Sequence, residues 1–298
     1  MPWYLFAAAT PTLYSFTNYV DKFLIEKKIK DPIAITALAS IAAGFIGIFI
    51  GIITGFNNIG FSQTAILIFA GILLTFYLIP YFEAIKNDDV STVIPLFQFI
   101  PVFTLIMSAV ILKETLTARQ IVGLLLVVFA GIFVSAEKIE AKIFKPRKSL
   151  YYMLVASFMY GLVGILFRFV VKESDYWTTL SYEYIGSGIG GILLFLSRKV
   201  RTNLAMQSKE IKTSAGIITV NNGLTISAQM SEAYALSLAP VPLVNIIGSI
   251  QPVINLIEGI ILTKKFPHLI SENISRPILI QKSISILFIF IGMYLVYF

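Results

Sequence analysis

The sequence predicts an all-α integral membrane protein whose ten transmembrane helices form two inverted five-helix repeats, and three observations predict it. The composition is too apolar for a soluble domain, the apolar residues fall into ten long runs, and the second half of the chain echoes the first. Of 298 residues, 57% are apolar and 13% charged, against about 45–50% and about 25% in soluble domains; mean hydropathy is +0.85. A transmembrane helix needs about 20 mostly apolar residues, so ten use about 200 and leave about 100 for ends and connections. A soluble enzyme, a nucleic-acid-binding domain and a disordered chain are excluded. The net charge of +7 is read as loop anchoring rather than an anionic partner.

The runs lie at residues 3–24, 33–55, 64–84, 90–112, 117–136, 149–171, 177–197, 214–235, 242–262 and 280–297, each bounded by charge, Gly, Pro or Asn. They are too long for barrel strands and lack period-two alternation. The longest polar stretches, Glu137 to Lys148, Arg198 to Thr213 and Lys264 to Pro277, are too short for a catalytic domain. The first run is expected to stay in the mature chain, because Met1-Pro2-Trp3 offers no basic n-region and Ala7-Ala8-Ala9 comes too early for a cleavage site. With no cysteine and one histidine, His268, in a polar loop, neither thiol catalysis nor a His-based metal site is expected; no cofactor is predicted.

Ten spans put both termini on one face and the odd-numbered connections on the other. Of the 23 basic residues, only Lys113, Arg119, Arg168 and Lys172 fall on the terminal face, and the other nineteen fall on what is called here the basic face. The positive-inside rule then places both termini outside.

Self-comparison supplies the repeats. An offset of 151 places Ala84 on Ala235, Val93 on Val244, Pro101 on Pro252 and Lys113 on Lys264. Near the repeat starts an offset of 146 places Tyr14 on Tyr160 and Lys22 on Arg168. Chance matching between apolar segments is the bland alternative, but five spans per half is an odd number, which inverts the second half and puts a substrate site near the midplane. The repeats are assigned to 1–137 and 149–298.

The stretch Pro101-Val102-Phe103, the turn Leu112-Lys113-Glu114-Thr115-Leu116-Thr117, then Gln120 to Gly123 and Gly131 resembles the EamA-like branch of the drug/metabolite transporter superfamily. Pro252 to Lys265 is a degenerate second copy, with Lys265 at the position of the turn glutamate. The resemblance implies a ten-helix, two-repeat carrier with a central cavity lined by the first, third and fourth helices of each repeat. It also implies both termini in the cytoplasm, opposite to the charge count.

Polar groups inside spans are costly and are expected to face the bundle interior or a cavity. On the eighth span Asn221, Asn222, Thr225, Gln229 and Glu232 fall within one third of the helix circumference at 100° per residue, and a cavity wall is favoured over helix-to-helix hydrogen bonding. On the first span Pro11, Tyr14, Asn18, Asp21 and Lys22 share an arc, although Asp21 and Lys22 could snorkel to the headgroups. Tyr14 and Tyr160 are either a contact pair across the cavity or ordinary core residues. On the ninth span, Asn245 and Ser249, with Gln98 aligned on Ser249, are taken as the cavity face, and Gln251, Asn255 and Glu258 as a structural or gating arc. Pro101 and Pro252 are read as conformational elements, and Gly186, Gly188, Gly190 and Gly191 as helix-packing positions.

The candidate substrate-binding set is therefore Tyr14, Asn18, Tyr77, Gln98, Tyr160, Asn222, Thr225, Gln229, Asn245 and Ser249. Asp21, Glu83, Arg168 and Glu232 are the candidates for gating or for proton or ion coupling, with Arg168 expected to pair with a carboxylate. No catalytic residue is assigned. The function expected is secondary transport of a small metabolite or drug-like solute by alternating access, in a monomer or homodimer of the plasma or inner membrane. A flippase for a lipid-linked intermediate is the alternative; an intramembrane enzyme would need a nucleophile–base pair or metal ligands inside the bundle, and the chain has no Cys, one loop His and no Gly-x-Gly-Asp motif.

Overall fold

The computed structural model describes residues 2–29, 31–112, 117–134, 146–239 and 241–297. The family-like turn Lys113 to Leu116, the basic linker 135–145, Lys30 and Pro240 lie outside the described residues. The described residues are helical throughout, without a strand: α1 (Trp3–Lys27), α2 (Pro32–Thr54), α3 (Phe61–Phe76), α4 (Leu78–Asn87), α5 (Val90–Val93), a 3₁₀ turn (Ile94–Gln98), α6 (Phe99–Leu112), α7 (Ala118–Val134), α8 (Lys148–Val171), α9 (Tyr176–Leu196), α10 (Arg198–Met206), α11 (Ser208–Leu238), α12 (Val241–Gly248), α13 (Gln251–Lys265) and α14 (Arg276–Tyr297). Five helical stretches are long and apolar enough to cross a membrane, beginning at Pro32, Phe61, Val90, Lys148 and Arg276, so the chain is a multi-pass membrane protein. α1, α11 and α13 carry the polar interior groups described below, which lowers their hydropathy.

Three spans are broken, each for a local reason. Pro80 removes the hydrogen bond its amide would give to Phe76, and α3 ends there while α4 restarts at Leu78. Pro95 sits in the 3₁₀ turn before α6, and Pro252 in the first turn of α13. The restarts at Phe99 and Gln251 lie close to the 151-residue offset, so the fourth and ninth runs break at matching heights. The stretch Arg198 to Thr213, read from sequence as a polar connection, is instead helical: amphipathic α10 and the first turns of α11.

α2 packs along α9, α3 along α9 and α8, α7 along α14, and α1 along α11. Small residues allow the closest approaches: a Cβ on Gly188 would lie 2.7 Å from the Cα of Gly44, and one on Gly191 2.6 Å from the carbonyl of Ala37. Asp175 caps α9, accepting from the Thr178 amide at 2.9 Å and from Asn57 at 2.8 Å. Partial burial pushes its carboxyl up, but these bonds outweigh it and hold the group below its ordinary value.

A buried polar network joins α1, α5 and α14 to the segment before α14. Lys282, only 2% exposed, donates to Ser91 Oγ at 2.6 Å and pairs with Asp89 at 3.2 Å and Glu272 at 3.5 Å. Glu272 also accepts from the Ser91 hydroxyl and lies 3.1 Å from that of Tyr19, which contacts the carbonyl of Asn255 at 2.6 Å. Arg147 pairs with Asp88 beside it. Elsewhere Phe167, Val171, Tyr184, Leu236 and Val244 pack together in an apolar cluster.

Gly188→Ala forces the α2–α9 backbones apart and is expected to cost about 1–3 kcal/mol, whereas Gly216→Ala, with nothing within 4 Å of its new Cβ, gains up to about 1 kcal/mol from helix propensity. Thermal unfolding of both variants in detergent checks the contrast; equal melting temperatures would contradict the packing role.

Candidate functional site

At the centre of the bundle a cavity lies between α1, α3–α4, the 3₁₀ turn and α6, α8, α11 and α12. α1 contributes Pro11, Tyr14, Asn18 and Asp21 to its wall. The kink after α3 turns Tyr77 and Tyr81 inward, and the 3₁₀ turn brings in Phe97 and Gln98. Tyr160, Thr225, Glu232, Asn245 and Gln251 add further polar groups.

Two hydrogen-bonded chains organise these groups. The Tyr81 hydroxyl contacts Asn18 Oδ1 at 2.7 Å and Asp21 Oδ2 at 3.3 Å, while Asn221 Nδ2 donates to Asp21 Oδ1 at 2.6 Å. Across the cavity Tyr160 donates to Glu232, and its hydroxyl lies 3.1 Å from that of Tyr14. A phenol has one proton, so with Tyr160 donating to Glu232 the remaining bond runs from Tyr14 to Tyr160. The ring of Tyr77 stands edge-on to Tyr160 with centroids 4.9 Å apart, and Phe97 lies 5.6 Å from Tyr81.

A second cavity adjoins the first, sharing Asp21, Leu78 and Thr225, and is mostly apolar. The polar stripe of α11 serves both. Thr225 lines each, Glu232 the first, and Asn221, Asn222 and Gln229 the second. Gln229 and Glu232 also border a smaller space with Glu183 of α9. Among the described residues, no group of three His, Cys, Asp or Glu is placed to hold a metal ion.

The structure thus gathers Tyr14, Asn18, Tyr77, Gln98, Tyr160, Thr225, Asn245, Asp21 and Glu232 around the first cavity and leaves other candidates elsewhere. Asn222 and Gln229 face the second cavity. Ser249 is buried but lines neither of the two. Gln251, assigned from sequence to the other arc of the ninth run, lines the cavity, because the break between α12 and α13 ends the regular 100° progression. Glu258 accepts from Ser15 at 3.4 Å, and Asn255 Nδ2 donates to the Ser15 carbonyl at 3.2 Å, so that arc joins α13 to α1. Glu83 lies outside both large cavities.

Arg168 requires a correction. In place of a carboxylate it holds the carbonyls at the end of α11, donating to Leu236 and, at 3.0 Å, to Ser237; it makes no ion pair among the described residues. The reason is local: the last carbonyls of a helix have no intrahelical donor, and a buried cation satisfies two at once. Lys22 caps α4 in the same way, reaching the carbonyls of Ile85 at 2.6 Å and Asp88 at 2.8 Å, and it also pairs with Glu26 at 3.0 Å. It is 6% exposed and does not snorkel. Ile85 and Leu236 are themselves 151 residues apart, so both cations and their acceptors recur at the sequence offsets. The Lys282, Glu272 and Asp89 cluster was missed from sequence; its signal was a lysine six residues inside the last helix and paired aspartates in a two-residue turn.

Comparison with known proteins gives three findings. Residues 1–136 match the EamA-like transporter family. A relative from Archaeoglobus fulgidus described as an uncharacterized transporter is 30% identical over 116 residues, covering 37% of this chain and 39% of the relative; the match therefore spans less than half of that protein. A solved structure described only as the crystal structure of a protein superposes with a TM-score of 0.58 at 12% identity, over 98% of this chain and 95% of that one, a likeness of fold alone.

Arg168→Met strands two buried carbonyls and is expected to cost about 2–3 kcal/mol, while Arg168→Lys, which copies Lys22, loses less than about 1 kcal/mol. Chemical denaturation in detergent measures the difference. Equal losses in both variants would mean that the carbonyl contacts contribute nothing.

Proposed function

We propose that this chain, EamA-like over its first half, is a secondary transporter that moves a small solute through the central cavity by alternating access. Ten spans are counted by joining α3 with α4, α5 with α6, and α12 with α13, and by treating α10 as a surface helix. They divide into two inverted repeats, 1–137 and 149–298. The observation that carries this reading is the recurrence of one device in both halves: Lys22 on Ile85 and Arg168 on Leu236. The packing pattern supports it too, since α2 with α9 and α7 with α14 pair the second and the fifth spans of the two halves.

In this carrier the two faces are closed by different chemistry, and that difference sets the expected movement. The basic face is held by ion pairs and hydrogen bonds among Lys282, Asp89, Glu272 and Ser91, which have discrete made and broken states. The terminal face is held by apolar contact. Rocking of one repeat against the other exchanges these closures around a fixed cavity. The substrate set proposed is Tyr14, Asn18, Tyr77, Gln98, Tyr160, Thr225 and Asn245, with Asn222, Gln229 and Ser249 behind it; Asp21 and Glu232 are the coupling carboxylates. The charge asymmetry puts the basic face in the cytoplasm of a plasma or inner membrane. A flippase reading draws on the apolar second cavity, and a water-soluble solute moved in counterflow would argue against it.

The chain has no cysteine, so Thr225→Cys places a single reactive probe at the cavity. A membrane-impermeant maleimide is expected to label it from one face at a time. Adding Lys282→Met, which removes the cation from the basic-face closure, raises labelling from that face by about tenfold if the pairs contribute about 1.4 kcal/mol. Labelling at equal rates from both faces, unmoved by Lys282→Met, would indicate a fixed pore.

A further inference from the structure

We infer that the solute is an amphipathic organic cation, with its charged head at Asp21 and its apolar body in the second cavity. The inference rests on the carrier reading and names its substrate class.

The first argument is the distribution of counter-charge. At the basic face the buried Glu272 and the half-buried Asp88 and Asp89 have cations: Lys282 for Asp89 and Glu272, Arg147 for Asp88. At the cavity they have none. Asp21 is contacted by the neutral donors Tyr81 and Asn221, Glu232 by Tyr160, and among the described residues no Lys, Arg or His comes within ion-pair distance of either. A carboxylate away from water is costly until a counter-charge arrives. An entering cation supplies it, a neutral solute does not, and an anion adds repulsion.

The walls are suited to the same charge. Tyr77, Tyr81, Phe97 and Tyr160 present aromatic rings around the space, and ring faces attract ammonium groups. An independent observation points to a polar ligand. Asn18 is 4% exposed and lines the cavity, and its Nδ2 has no partner among the described residues; Asn245 Nδ2 is likewise unmatched there. Asn18 shares the Tyr81 hydroxyl with Asp21, so an idle donor beside that carboxylate fits a head that carries a hydrogen-bond acceptor, such as a hydroxyl or carbonyl, next to its charged nitrogen. The two cavities meet at Asp21, Leu78 and Thr225, and beyond them Leu24, Ile25, Ile35, Leu74 and Phe82 line the second. A solute anchored at Asp21 therefore has apolar surface on one side of its charge.

Calorimetric titration of the purified full-length protein with phenethylammonium, phenethyl alcohol and hydrocinnamate tests the charge preference on one apolar frame. The cation is expected to bind about tenfold tighter than the alcohol, with the anion weakest. Asp21→Asn should remove most of that margin, weakening the cation more than the alcohol, and Glu232→Gln should remove less of it. Equal or tighter binding of the alcohol or the anion overturns the inference, and this ranking decides alone if the variants do not fold. Flux in proteoliposomes separates the two readings. A cation that binds but is not moved removes the carrier and leaves the cation site, whereas transport of a neutral or anionic solute without cation preference removes the cation site and leaves the carrier.

Discussion

A bilayer core offers the backbone no hydrogen bonds, so every carbonyl freed at a break or an end within the bundle must find a donor from the protein. The rest of this structure depends on how that demand is met. Lys22 and Arg168 are spent on the ends of α4 and α11, and each holds the end of a span that contributes to the cavity. By fixing those ends they also fix the positions of Tyr77, Tyr81 and Glu232. Cations committed to carbonyls are unavailable to the cavity carboxylates, which leaves the interior polar, acidic and without its own counter-charge.

Interior charge is therefore used in two ways. Lys282, Glu272, Asp89, Asp88 and Arg147 are paired; paired groups lock helix ends together at a cost in desolvation that geometry must offset. Around the cavity Asp21 and Glu232 are held by phenols and an amide, which orient the carboxylates without neutralising them. The phenols are polar at one end and aromatic along their sides, so the same side chains tune the carboxylates and form the wall.

Much of this was legible in the sequence because a membrane makes polarity expensive. Asn18 and Tyr14 on the first run and Thr225 and Glu232 on the eighth stand out against an apolar background, and where the helices are continuous a 100° progression groups residues that line the first cavity. That regularity ends where helices break. Gln251 was misassigned because regular rotation was carried through the gap between α12 and α13, and Ser249 was placed on the cavity for the same reason. Arg168 was matched to a carboxylate because sequence shows side-chain charges but not which carbonyls a helix end leaves open. Lys282, Glu272 and Asp89 come together from three separate segments, and no spacing rule connects them.

The contact between Tyr14 and Tyr160 has a further consequence. These residues are mates at the 146-residue offset, yet their surroundings are not mirror images. In the first half the carboxylate, Asp21, sits on the first span and its phenol, Tyr81, on the third; in the second half the phenol, Tyr160, sits on the first span of that half and the carboxylate, Glu232, on the third. Tyr81 and Glu232 are 151 residues apart, so donor and acceptor have traded places. Two identical halves would give inward-facing and outward-facing states of equal energy in a symmetric environment. In the carrier proposed above, this exchange removes that degeneracy from inside the site, so its resting bias would be set by the binding residues as well as by the gates.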